Sequence, residues 1–298
     1  MDKRKIALLS ALGATTIYGL NHTIAKEVMP HFIQGFGFVQ LRLLGATVLF
    51  WAVSFFIPKQ KISLNDFPRM LLCSFFGMAL NMLCFFKGIE LSTPINSSVL
   101  ITVTPILVFV FSRILIKEKF VAKRIWGVVL GFIGAVVLIV LGNEVRQDAP
   151  NIPLGNFLFV INASAFAVYL IIVKPLSKKY TTVHLLKWLF LFGFIMALPV
   201  TYKEFDNVVW ENLPLNALWR FAYVVIGTTF LTYLLNVFAL KYLKATSVGV
   251  FTYLQPLIGI SYAIIVGADA LSLVKISAAV GILFGVYLVT KNYEKIDL

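Results

Sequence analysis

Charge is the scarcest commodity in this chain. Only 13% of its 298 residues are Asp, Glu, Lys or Arg, against about 25% in an ordinary soluble domain. With 60% hydrophobic residues and a mean hydropathy of +0.91, a folded chain in water would have nowhere to hide its apolar side chains. Lipid is the solvent that suits it. Cysteine is nearly absent: Cys73 and Cys84 are the two present. They lie eleven residues apart in one apolar run, about 16 Å if that run is helical, so they do not bridge each other. The three histidines are scattered, no metal-ligand spacing occurs, and no cofactor is expected. No nucleotide-binding loop is present, which excludes ATP as a driver. Acidic residues number 13 and form no paired set inside an apolar run. A membrane-embedded enzyme, which needs clustered acids, histidines or nucleophiles, therefore has no support.

What is there is a series of long apolar runs. Ten segments emerge, at about 6–25, 35–57, 67–89, 94–116, 123–142, 153–173, 184–202, 217–240, 245–267 and 273–290. Each approaches the roughly 20 residues that a helix needs to cross a bilayer. The seventh and tenth have the shortest charge-free cores, which snorkelling by Lys187 and Lys275 extends. An open sheet cannot satisfy its edges in lipid, and the period-two alternation of a barrel is absent. The N-terminal Met1-Asp2-Lys3-Arg4-Lys5 followed by an apolar run resembles a signal peptide. The run is long, carries Asn21 and His22, and lacks a convincing cleavage site, so it reads as a retained first helix.

The formal net charge is +13. Nucleic acid is not the partner this implies, because the Lys and Arg residues flank the apolar runs. With the N-terminus inside and ten spans, eighteen Lys and Arg residues fall in inner segments and six in outer ones, with Arg42 and Arg113 inside spans. This is the distribution the positive-inside rule requires. It predicts a multi-pass protein of the cell (inner) membrane with both termini cytoplasmic.

Shifting the sequence against itself by 151 residues brings Tyr18 onto Tyr169, Arg69 onto Arg220, Pro105 onto Pro256, Gly134 onto Gly285 and Glu118 onto Asp269. The match fails around the second and seventh segments. Five spans per half is an odd number, so the second copy must be upside down relative to the first. The expected fold is thus an all-α integral membrane protein of ten transmembrane helices in two inverted five-helix repeats, 1–145 and 146–298. Inverted repeats are a transporter architecture in which a central site opens alternately to each face.

Particular residues point to a family. The first span carries Tyr18-Gly19-Leu20-Asn21, followed by Lys26 and Pro30. The second carries Leu41-Arg42-Leu43-Leu44-Gly45-Ala46. The third and fourth carry Lys87-Gly88-Ile89-Glu90, Ser97-Ser98, Pro105 and Glu118-Lys119, and the fifth Gly127, Gly131 and Gly134. Over nearly the whole chain this pattern resembles the EamA family of the drug/metabolite transporter superfamily. The resemblance implies ten helices in two inverted repeats, a central cavity, and transport of small metabolites, often export. The chain departs from the pattern at Asp269, where Glu is usual, at Ala278, which takes the place of Gly127 in the second copy, and at Tyr18, where Trp is commoner.

Polar groups inside a membrane usually face a cavity or a neighbouring helix. On that ground Tyr18, Asn21, His22, Asn81, Asn236 and Gln255 are candidates for a substrate cavity, and Tyr169 joins them as the repeat partner of Tyr18. The alternative for each is an interhelical bond or plain packing. His22 also titrates near neutral pH in water and is a candidate for a coupling proton. Pro105 and Pro256 each free a backbone carbonyl within a span and are candidate hinges. Arg42 costs on the order of 2.5–3.5 kcal/mol at mid-bilayer, so it needs a partner, a cavity or an anionic solute. Glu118 and Asp269 sit unfavourably at helix C-termini and are candidate gate or ion-pair residues, with Lys275 available to Asp269. The glycines of the fifth segment suit close packing on the tenth, or a homodimer if the contact is between molecules. Partners are a small-molecule solute and membrane lipid. A lipid-translocating protein or a channel remains an open alternative to a solute transporter.

The charge distribution makes a direct prediction. Fusions of green fluorescent protein after residue 60 and at the C-terminus will fluoresce, while alkaline phosphatase will be active when fused after residue 147. The reverse result at residue 147 would contradict the span count.

Overall fold

A computed structural model describes residues 3–117, 125–141, 148–243, 248, 251 and 254–290. The described residues are helical with short connections, and no strand occurs among them. The helices follow the apolar runs closely. They are α1 (Lys3–Lys26), α2 (Gly35–Ser54), α3 (Phe67–Ser74), α4 (Asn81–Leu91), α5 (Pro94–Ile101), α6 (Thr104–Ile116), α7 (Ile125–Leu141), α8 (Ile152–Lys179), α9 (Thr182–Asp206), α10 (Leu215–Ala222), α11 (Thr232–Tyr242), α12 (Leu254–Ile265) and α13 (Leu273–Thr290). Among the described residues, six helical stretches are long and apolar enough to cross a membrane: 35–54, 64–91, 94–116, 152–179, 182–206 and 215–242.

Two of these stretches contain a π-helical segment. Phe75–Leu80 joins α3 to α4, and Tyr223–Leu231 joins α10 to α11. A π-turn widens the helix and loosens its carbonyls. The first segment uses both effects. The ring of Tyr169 lies where a side chain on Gly77 would otherwise stand, and the Gly77 carbonyl accepts a hydrogen bond of 2.6 Å from the Tyr233 hydroxyl. Advanced by 151 residues, 75–80 falls at 226–231, inside the second π segment.

The packing has the same exchange pattern. Helix α1 packs on α11 and α12, while α8 packs on α4, α5 and α6; α2 packs on α9, and α7 on α13. Glycines set the closest approaches. Gly45 of α2 meets Val225, and Gly193 of α9 meets Met78, so each helix presses a glycine against the π segment of the other half. Gly45 and Gly193 are 148 residues apart. The self-match failed in this region because its register there is three residues shorter. The α7 glycines pack within the chain: Gly131 and Gly127 lie against Gly285, and Gly134 against Ile282 and Ala278. This face is therefore occupied internally.

One end of the bundle is tied by charged side chains on backbone groups. The α2 N-terminus has no cap from Gln34. Instead Glu90 Oε2 accepts from Gly35 N at 2.7 Å, and Glu204 Oε2 accepts from Phe36 N and Gly37 N at 2.7 and 3.1 Å. Two carboxylates from other helices thus satisfy orphan N–H groups at the positive end of a helix. Lys26 donates to the carbonyls of Ile89, Glu90 and Asp148 at 2.8, 3.1 and 2.5 Å, and Glu27 pairs with Arg220. At the opposite end, Asp66 takes Lys179 at 2.5 Å and also Tyr180, while Gln60 Oε1 accepts from Thr181 N at 2.8 Å.

The glycine contacts predict opposite effects at two positions. Gly193→Val places Cβ 2.5 Å from Met78 Cβ and will cost about 1–3 kcal/mol by overpacking. Gly13→Ala, whose Cβ meets Leu235 at an ordinary 3.7 Å, will gain roughly 0.5–1 kcal/mol of helix preference. Thermal unfolding of the purified protein distinguishes the two.

Candidate functional site

A cavity of about 530 Å³ lies among the helices of both sequence halves. From α1 it takes Tyr18, Asn21 and His22, from α2 Arg42, and from α4 Asn81 and Phe85. Ile101 and Thr104 flank the break between α5 and α6. Asn162 and Phe166 come from α8, Tyr233 from α11 and Gln255 from α12. A second hollow of about 830 Å³, lined in part by Pro30, Gln34, Glu204 and Asn212, lies at the end of the bundle and shares no residue with the first.

Each polar side chain reaches the cavity for a local reason. The α5–α6 break explains Thr104. Pro105 has no N–H, so the Ile101 carbonyl loses its helical donor; the Thr104 hydroxyl replaces it at 2.6 Å, and the Thr102 hydroxyl takes the Val99 carbonyl at 2.5 Å. The carbonyl that Pro105 frees is therefore satisfied by its own chain. Pro105 starts α6 at a helical break rather than kinking a continuous helix. Pro256 is buried near the start of α12.

Asn81 and Asn162 hold α4 to α8 through reciprocal bonds. Asn81 Nδ2 donates to the Asn162 carbonyl at 3.2 Å, and Asn162 Nδ2 donates to the Asn81 carbonyl at 2.8 Å. His22 Nδ1 lies 2.6 Å from Ser97 Oγ, and its ring meets Phe85 edge-on at 5.5 Å. The Asn21 amide is 2% exposed, and its oxygen has no donor.

Arg42 is 4% exposed. Nε donates to Thr229 Oγ1 at 2.6 Å, and Nη2 donates to the Thr228 carbonyl at 3.2 Å. The guanidinium lies 4.7 Å from the centre of the Phe86 ring. Among the described residues no carboxylate is its partner: both bonds go to the π segment of the other half. That segment supplies a threonine carbonyl and hydroxyl at membrane depth because its helical ladder is widened.

Of the sequence candidates, Tyr18, Asn21, His22, Asn81, Gln255 and Arg42 therefore converge on one cavity. Tyr169 does not line it. It is fully buried against Gly77, 6.1 Å from the Tyr233 ring, and Phe166, about one turn away on the same helix, takes the cavity position. Asn236 is buried and is not among the lining residues. Asp269 sits at the bundle end. It pairs with Lys275 at 3.1 Å, as expected, and also accepts from Ile95 N at 3.1 Å, which ties it to the start of α5. Glu118 lies outside the described residues. Asn162 and Tyr233 were missed. The rule that selects intramembrane polar residues applies to both, but the partner of Asn162 lies on another helix and Tyr233 has no polar partner at the shift of 151.

The family model for EamA-like transporters matches residues 5–140 and again 153–291. The chain belongs to the EamA-like transporter family. It is therefore a multi-pass membrane protein of a transporter family, which indicates a transporter rather than an enzyme. An uncharacterized transporter of Bacillus subtilis (strain 168), YetK, is 27% identical over 266 residues, covering 86% of this chain and 78% of its own. An uncharacterized transporter of Archaeoglobus fulgidus is 25% identical over 277 residues, covering 93% and 96%. A solved structure described as "Crystal structure of protein" shares the fold with a TM-score of 0.67 and 18% identity, over 98% of this chain and 100% of that one.

Each amide bonds the other residue's main-chain carbonyl, so Asn81→Ala and Asn162→Ala will each remove one bond and leave the other in place. Each variant will lower unfolding stability by about 0.6 kcal/mol or more, and no loss in either would mean that the bonds do not hold α4 to α8.

Proposed function

We propose that this EamA-family member is a secondary transporter that carries small organic metabolites, amino acids or amphipathic compounds, out of the cell by alternating access. The observation that carries the reading is the mixed parentage of the cavity: α1, α2, α4, α5 and α6 supply one part of its lining, and α8, α11 and α12 the other. A solute there touches both halves, so a rocking motion of one half on the other changes its exposure.

The reading includes ten spans in two inverted repeats, 1–145 and 146–298, with both termini cytoplasmic. Its supports are the exchange pattern of packing, the recurrence of a π segment in each half, the paired Gly45 and Gly193 contacts, and the excess of basic residues on the inner side. Substrate class and export come from the family resemblance. Pro105 at the α5–α6 break and Pro256 near the start of α12 are the hinges in this scheme. The ties of Lys26, Glu27, Glu90 and Glu204 at one end would have to break when that end opens. His22 is the candidate for a coupling proton.

Sided flux assays in proteoliposomes test it. A radiolabelled metabolite panel will include a solute whose transport saturates. Asn21→Ala will slow that transport by about 2–10-fold, the equivalent of one lost hydrogen bond, and Tyr169→Phe, which lies off the cavity, will leave it unchanged. Movement of labelled lipids with no saturable solute flux would replace this reading with lipid translocation.

A further inference from the structure

We infer that the solute of the central cavity is a small monocarboxylate with an apolar body, its carboxylate seated on Arg42. This rests on the transport reading above and names the chemistry of the same site. Among the twelve lining residues there is one arginine and no Asp or Glu. Arg42 is nearly fully buried, and among the described residues no carboxylate pairs with it. A buried guanidinium without a counter-ion is costly. The threonine groups satisfy two of its N–H donors, while the ring of Phe86 packs against it. The donors left over have the fork geometry that binds a carboxylate through two oxygens.

Two further features shape the ligand. Asn21 lines the same cavity and its buried amide oxygen has no partner, which suits a hydroxyl or N–H on the solute. The rings of Tyr18, Phe85, Phe166 and Tyr233 supply an aromatic part of the lining, which suits an apolar or aromatic body. The charge balance narrows the class. A cationic amphiphile would meet a positive centre with no acid to receive it. A dianion such as a phosphate ester would meet a single arginine with no second arginine or lysine in the lining.

Paired probes test this on the purified full-length chain. Phenyllactate and 4-hydroxyphenylacetate are compared with their primary amides, which keep shape and lose charge, and with phenylalaninol as a cation. Binding is read by thermal shift and transport by flux in proteoliposomes. The carboxylates will raise the melting temperature while the amides and the cation will not. Arg42→Gln will weaken carboxylate binding by about tenfold to a hundredfold, and Arg42→Lys will retain part of it. If Arg42→Gln does not fold, the carboxylate–amide contrast in the unaltered protein decides. Equal binding of amides, retained affinity in a folded Arg42→Gln, or no binding of either carboxylate would overturn the inference. Transport of an amide or the cation would leave the transporter reading standing while this inference falls. Arg42-dependent binding of a carboxylate that never crosses would do the opposite.

Discussion

Hydrocarbon supplies no hydrogen bonds, so each backbone and side-chain polar group at membrane depth must find its partner inside the protein. The helix ends show the consequence. Glu90 and Glu204, from different helices, reach the N-terminus of α2, and Lys26 is shared among three carbonyls at the end of α1. The helical interruptions obey the same rule. At the α5–α6 break a threonine hydroxyl takes over the carbonyl that Pro105 leaves without a donor. In the π segments the loosened carbonyls of Gly77 and Thr228 receive Tyr233 and Arg42. The α5–α6 break supplies Ile101 and Thr104 to the cavity, and the π segments hold two of its lining side chains, Tyr233 and Arg42.

The two halves pack by a common scheme and present different chemistry. Gly45 and Gly193 make equivalent contacts, yet 148 residues after Arg42 the second half has Phe190. The cavity's single positive charge thus belongs to one half alone, and it is anchored to the π segment of the other. A motion between the halves would move the guanidinium relative to Thr228 and Thr229, so under the proposed reading one side chain would link solute contact and conformation.

Several cavity-lining residues are legible in the sequence because burying a polar group in lipid is expensive. Asn21, His22, Asn81, Arg42 and Gln255 announce themselves on that ground, and they do line the cavity. Tyr169 did not follow, because its selection rested on repeat symmetry, and symmetry of position does not fix which way a ring points. Its ring fills the space opened by Gly77 in the π segment, a backbone irregularity without a sequence signature. Asn162 was overlooked because its amide serves Asn81 across a helix pair whose contact is a tertiary fact.

Composition and patterning alone established that the chain is helical and belongs in lipid, because apolar run length and the cost of charge in a bilayer are properties of the residues themselves; the resemblance to a transporter family rests on particular residues. The partner of each polar group was decided by folding. Arg42 meets threonines rather than a carboxylate, Glu204 caps a helix remote in sequence, and the fifth-helix glycines pack within the molecule. These outcomes depend on which helices are neighbours and how closely they approach, and those distances are set by side-chain packing in three dimensions.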